Sequence, residues 1–190
     1  MKRVAILSSG SGSNAQALIE YFEACENIHV VYVGSNRPKA EVLERADRAE
    51  VNNGVFSKSD LLDGTLKDNL DILGVDWVLL AGFLLKIPGD FCNRYKERIL
   101  NIHPSLLPKF GGKGMFGMNV HKAVYEAREK ESGMTIHFVN ESYDEGAIVF
   151  QGRVDISNLK SPEEIASKVL KLEHKYYPKI SEELITLAEE

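Results

Sequence analysis

Short apolar runs alternate along this chain with stretches whose apolar residues recur every three to four positions. Val4 to Leu7 is the first run, and it ends in Ser8-Ser9-Gly10-Ser11-Gly12-Ser13. Asn14 to Ala24 follows with helical spacing. Ile28 to Val33 is β-branched and aromatic and reads as a strand. Pro38 to Asn52 reads as a helix with its charges on one face. Gly54 to Phe56 reads as a short strand, and Ser59 to Leu73 as a helix with Ser59 at its N-cap. Asp76 to Gly82 is strongly apolar and reads as a strand. Pro88 to Tyr95 reads as a short helix, and Arg98 to His103 as the next strand. Lys109 to Gly117 holds four glycines and reads as a mobile loop, a lid or a plain surface connection. Asn119 to Lys130 is helical. Met134 to Val139 and Ala147 to Val154 are strands. Ser161-Pro162-Glu163-Glu164 opens a last helix, with proline at its first position and acids in its first turn.

Strands alternating with amphipathic helices specify an α/β fold, a Rossmann-like doubly wound and mostly parallel sheet. The last two strands are joined by a loop too short for a crossover helix, so an antiparallel extension is expected near the C-terminus. The length, 190 residues, suits one domain spanning 1–190. On this reading the N-terminal half binds phosphate and the C-terminal half carries the chemistry. A net charge of −5 provides no basic footprint, so nucleic acid is not an expected partner. No stretch is long enough to span a membrane. Cys25 and Cys92 have neither metal nor disulfide spacing and read as reduced, buried thiols of a cytoplasmic protein. No metal is expected.

Two segments carry candidate chemistry. The turn Gly10-Ser11-Gly12-Ser13-Asn14-Ala15 fits G-x-G-x-x-A between a first strand and a first helix. A dinucleotide site would add an acid at the end of the second strand, and Gly34-Ser35-Asn36-Arg37 has none. A monophosphate cradle of backbone N–H groups is the favoured reading, with a ligand-free tight turn as the alternative. There is no G-x-x-x-x-G-K-[ST], no G-x-S-x-G and no H-E-x-x-H.

The second segment is Asn101-Ile102-His103-Pro104-Ser105-Leu106-Leu107-Pro108. On a strand, Asn101 and His103 share one face and Ile102 takes the other. Pro104 ends the strand, so a titratable ring and an amide stand together at its carboxyl end. His29 and His137 lie within strands and read as structural. His174, beside Glu173, reads as part of a solvated helix face, and His121 as a cap or a ligand contact. A catalytic histidine works best with a carboxylate that orients it and supports its protonated form. Asp144 is the candidate for that role, with Glu145 adjacent and an Asx turn as its alternative. The combination suits direct group transfer, with a proton shuttle and an oxyanion donor.

Those residues resemble a known family. Asn101 to Pro108 is similar to the signature of the 10-formyltetrahydrofolate-dependent formyltransferases. Gly10 to Asn14, Leu80-Ala81-Gly82-Phe83 and the Asp144 loop narrow the resemblance to the phosphoribosylglycinamide (GAR) formyltransferases of purine synthesis. The resemblance implies transfer of a formyl group from 10-formyltetrahydrofolate to the amine of GAR. It implies catalytic roles for Asn101, His103 and Asp144. It places the substrate phosphate on Gly12, Ser13 and Asn14, and the ribose hydroxyls on Glu173. It places folate along Phe83, Leu84, Leu85, Lys86 and Ile87, with Asn101 and the loop Asn140, Glu141, Ser142, Tyr143 and Asp144. Two positions depart from the family: Leu170 stands where lysine or glutamine is usual, and Leu85 where arginine is usual. A relative acting on initiator tRNA would carry a basic C-terminal domain, and a formyltetrahydrofolate hydrolase an N-terminal regulatory domain. The implied partners are the two small molecules, in a monomer or homodimer. A phosphorylated-metabolite sensor is the rival from another class, and it leaves Asn101, His103 and Asp144 without a role.

Overall fold

The structure is a computed structural model, and it describes residues 1–141 and 144–188. Its strands are β1 (Lys2–Leu7), β2 (Ile28–Ser35), β3 (Asn53–Val55), β4 (Trp77–Leu80), β5 (Ile99–His103), β6 (Glu131–Phe138) and β7 (Ile148–Asp155). They form one sheet in the order β3-β2-β1-β4-β5-β6-β7. Pairing is parallel from β3 through β5. It is antiparallel for β5 with β6 and for β6 with β7, as the short last connection requires.

The helices are α1 (Ser13–Glu23), α2 (Glu41–Arg48), α3 (Lys58–Leu62), α4 (Thr65–Ile72), α5 (Gly89–Arg94), α6 (Met118–Glu126) and α7 (Pro162–Leu187). Alternation along the strands divides the core between the two faces of the sheet. Val4, Ile6, Leu100, Ile102 and Ile136 pack under α1, α2, α6 and α7. Ala5, Leu7, Val78, Leu80 and Ile99 pack under α3, α4 and α5.

Four expectations change. The helix expected over Ser59 to Leu73 is two helices, because Gly64 takes a left-handed conformation (φ 91°) between them. Its N-cap is Ser57, not Ser59: the Ser57 hydroxyl accepts from the Asp60 N–H, and the Asp60 carboxylate accepts from the Ser57 N–H. The second helix is shorter than Pro38 to Asn52, starting after Ala40 and ending at Arg48. Cys25 and Cys92 are free thiols that are only partly buried.

One helix matters most for the site. Along α7, Val169, Glu173, Tyr177, Ser181 and Ile185 recur every four residues and are all buried. The Tyr177 hydroxyl lies 2.9 Å from the carbonyl of Leu80 and 3.1 Å from that of Leu100, which ties α7 to the end of β4 and to the neighbouring β5. Glu173, one turn earlier on the same stripe, is thereby held over the carboxyl ends of the strands.

Candidate active site

A cavity of about 820 Å³ opens at the carboxyl ends of β1, β4 and β5. It is lined by the segments that follow those strands: Ser8 to Asn14, Ala81 to Leu84, and Asn101 to Pro104 at the end of β5. The sheet order reverses direction between β1 and β4, so the cavity occupies the switch point where open α/β sheets bind ligands.

At one end is the glycine-rich turn. Gly12 caps α1 in a left-handed conformation (φ 75°), and a Cβ there would lie 2.5 Å from the Cβ of Val42. Only glycine fits both the backbone and the space. No side chain caps the first turn of α1, and no acid stands in it, so its N–H groups are open to an anion. Loops from three directions fix the turn. The Ser9 hydroxyl donates to Asn36 Oδ1 (2.6 Å) and accepts from the Leu84 N–H (3.0 Å). The Val42 N–H bonds the Gly10 carbonyl (3.3 Å), and Arg45 Nε donates to the Ser11 carbonyl (2.7 Å). Asn14 Nδ2 donates to Glu173 Oε2 at 2.6 Å. Burial raises the Glu173 carboxyl above the usual range, and the Asn14 amide pulls the other way. Gly12, Ser13, Asn14 and Glu173, predicted from separate parts of the sequence, thus share one end of the cavity.

The other end is a block of polar side chains on one face of β5 and β6. Asn101 pairs with His137 and His103 with Thr135, so all four stand on the same side, and Ile102 turns into the opposite core as expected. Thr135 holds the chain after β5: its hydroxyl donates to the Ser105 carbonyl (2.6 Å) and accepts from the Leu107 N–H (3.0 Å). His103 is buried, 4% exposed. Its Nε2 lies 2.8 Å from the Phe110 carbonyl, so that nitrogen carries a proton and donates it. Nδ1 then faces Asp144 Oδ2 at 3.5 Å.

Asp144 lies in the β6–β7 loop with φ 54°, and its Oδ2 accepts from the Gly112 N–H at 2.9 Å. Burial acts to raise its carboxyl. The imidazoles of His137 and His103, with the Gly112 N–H, outweigh it and hold the carboxyl below the usual range. Gly146 lets the loop return: a Cβ there would meet the Phe138 carbonyl at 1.7 Å. Glu145 is exposed and does not line the cavity.

His137, expected to be structural, belongs to this network. Its Nδ1 donates to the Phe138 carbonyl (2.8 Å), which leaves Nε2 to accept from Asn101 Nδ2 (3.1 Å). The same Nε2 is 3.6 Å from Asp144 Oδ1. Pairing between β5 and β6 brings it there, and no spacing within either strand encodes that pairing. His121 also lines the cavity and is buried, with Nδ1 unpartnered among the described residues. Burial and the nearby His103 push it down to about 4.

The expected effect of Asp144 on His103 needs correction. The carboxylate raises the imidazole's pKa, but burial outweighs it, and the net shift is downward. The bare site therefore favours the neutral ring.

The expected folate residues divide. Asn101, Phe83, Leu84 and Asp144 line the main cavity. Leu85, Lys86, Ile87 and Glu141 instead line a second cavity of about 370 Å³, with Lys58, Leu61 and Leu62. Asn140 lines neither cavity. Ser142 and Tyr143 lie outside the described residues. The glycine-rich loop lines the main cavity from Gly112 to Gly117 and is tied down at Phe110 and Gly112 by the bonds to His103 and Asp144. His174 is half-buried rather than solvated.

Residues 2–180 match the formyl transferase family model. The chain is 42% identical over 186 residues to a chloroplastic phosphoribosylglycinamide formyltransferase of Arabidopsis thaliana, covering 94% of this chain and 64% of that protein. The chain thus spans less than two thirds of that relative's length. It is 37% identical to the phosphoribosylglycinamide formyltransferase of Haemophilus influenzae, covering 94% of this chain and 84% of that one. A crystal structure of phosphoribosylglycinamide formyltransferase from Bacillus halodurans superposes with a TM-score of 0.88 at 32% identity, covering 98% of this chain and 97% of the other.

Proposed function

Because the chain belongs to the formyl transferase family, we propose that it moves a formyl group from 10-formyltetrahydrofolate to the amine of GAR, as one domain with an anion site at one end and the reacting groups at the other. The observation that carries this reading is the single cavity that joins the uncapped N-terminus of α1 to the Asn101–His103–Asp144 set. The phosphate sits on the N–H groups of Gly12, Ser13 and Asn14, and the ribose hydroxyls on Glu173. Phe83 and Leu84 wall the donor's reactive end, and the second cavity at Leu85 to Ile87 and Glu141 takes the rest of it.

The amine nitrogen attacks the formyl carbon. A new C–N bond forms and the carbonyl oxygen becomes an oxyanion. His103 and Asn101 donate to that oxygen; in the bare site the Phe110 carbonyl holds the His103 N–H that the oxyanion takes over. The developing negative charge and Asp144 together favour the imidazolium that burial disfavours, its second proton taken from solvent at Nδ1 and returned when the oxyanion collapses. The tetrahedral centre then collapses, the bond to the folate nitrogen breaks, and the amine's proton passes to that nitrogen through Asp144 and a water. His137 holds the Asn101 amide so that its remaining N–H faces the cavity.

The test is a purified assay with GAR and 10-formyltetrahydrofolate, following tetrahydrofolate release and formyl-GAR formation. Turnover of both supports the reading. No turnover of GAR together with formylation of an amino sugar nucleotide overturns it.

A further inference from the structure

We infer that Arg37 is a specificity residue for the acceptor's phosphate, the cationic partner of the backbone cradle on α1; this rests on the reading that the acceptor is a phosphorylated amine. β2 ends at Ser35, and the next two residues reach the turn from the side. Asn36 accepts the Ser9 hydroxyl's hydrogen bond at 2.6 Å, and Arg37 lines the cavity together with Gly10 to Asn14. Its main chain is held in place: its N–H donates to the Ser35 hydroxyl (3.2 Å), and its carbonyl accepts from the Ala40 N–H (3.1 Å).

The charge at this end of the cavity is otherwise committed or absent. Arg45, the nearby cation on α2, is paired with Glu41 at 2.7 Å and spends its Nε on the Ser11 carbonyl. Leu170, on the α7 side of the cavity, has no charge to offer. Lys113 also lines the cavity, but it follows Gly112, which bonds Asp144 at the opposite end. Arg37 makes no ion pair among the described residues. A cradle of N–H groups carries only a partial positive charge. A phosphate ester dianion there needs a full cation, and the planar fork of a guanidinium suits phosphate oxygens. The segment in which a dinucleotide site carries an acid thus carries a cation instead, two residues past the end of β2, which selects a terminal phosphate over a ribose diol at this place.

The test compares wild type, Arg37→Ala and Arg37→Lys in two assays. In the first, KM for GAR rises about tenfold or more in Arg37→Ala while kcat changes little, and Arg37→Lys falls between. In the second, calorimetry measures binding of ribose 5-phosphate to the same proteins without any turnover. Wild-type affinity falls with added salt, and Arg37→Ala loses both affinity and most of that salt dependence. An Arg37→Ala protein that keeps its melting temperature, its KM for GAR and its ribose 5-phosphate affinity overturns the inference. If wild type fails to formylate GAR, the proposed function falls. The calorimetric difference between wild type and Arg37→Ala then still decides the role of Arg37.

Discussion

The two ends of the cavity are built on different principles. The Asn101–His103 end works through side chains: two imidazoles, an amide and a carboxylate, each with a named partner, on rigid strands or on a loop bonded to them. The turn end works mainly through main-chain N–H groups; Arg37 apart, its side chains serve to hold the backbone in place. A side-chain site is vulnerable to loss of a functional group and to pH. A backbone cradle tolerates loss of its own side chains and fails when the chain cannot keep its path.

Removing the reacting groups gives the largest separation between the ends. His103→Ala and Asp144→Asn should each lower kcat by about 10²–10⁴, the range for a positioned proton-transfer group or oxyanion donor. Circular dichroism and melting temperature should stay near wild type, since neither residue belongs to the apolar core. Wild-type kcat in both variants would remove the catalytic role of this end.

The ends should also differ in the sign of their pH response. Folded His121 has its pKa pushed from 6.5 down to about 4. Below pH 6.5 the unfolded chain takes up a proton there that the folded chain refuses, so stability falls as pH drops toward 4. The loss approaches about 3 kcal/mol if the shift is fully expressed. His103 acts in the same direction. Glu173 acts in the opposite one. Its folded pKa lies above 4.5, so its neutral form is tolerated at low pH and stability is lost as pH rises through the folded value. Urea unfolding across this range should show a smaller acid-side loss in His121→Leu and a smaller loss on raising the pH in Glu173→Gln. Exchange of the two behaviours would mean that burial does not govern these groups.

The difference between the ends also explains what could be read from the sequence. Strand and helix types followed from hydrophobic period, and Asn101 with His103 from the two-residue repeat of a strand. Glu173 was reached by resemblance, although its place on a four-residue apolar stripe is itself a sign of a buried acid. His137 was misjudged because its partners are set by pairing between β5 and β6, a contact across 36 residues. The neutral state favoured for His103 was missed for a related reason. A carboxylate partner can be guessed from sequence, but the burial that opposes it depends on the assembled cavity. The helix expected from Ser59 to Leu73 failed locally, where Asp63-Gly64 carried a turn signal within a helical period.

The role of His137 can be isolated by a double-mutant cycle with Asn101. His137→Ala should lower kcat by about 10- to 100-fold, less than loss of His103, because it acts through the orientation of the Asn101 amide. Once Asn101 is alanine, removing His137 should cost much less than it does in wild type. Additive losses would show that His137 works independently of Asn101. KM for GAR should hardly move in any member of the cycle, because the acceptor's anchor is at the other end.

The smallest effect is expected at the turn, and there the contrast between two neighbouring residues carries the information. Ser13→Ala removes a hydroxyl and leaves the backbone N–H, so KM for GAR should change by less than about threefold. Gly12→Ala removes nothing. It adds a methyl group at φ 75°, 2.5 Å from the Cβ of Val42, and should cost about 1–3 kcal/mol of stability. Its KM should rise as well, because relief of the clash moves the N–H groups of α1 away from the anion or moves α2 away from the turn. A larger substitution such as Gly12→Val would mix this binding effect with repacking of α2, so alanine is the cleaner probe. If Ser13→Ala weakened GAR binding more than Gly12→Ala did, the phosphate would be held by the serine hydroxyl. The turn would then be a second side-chain site, and the contrast between the two ends would disappear.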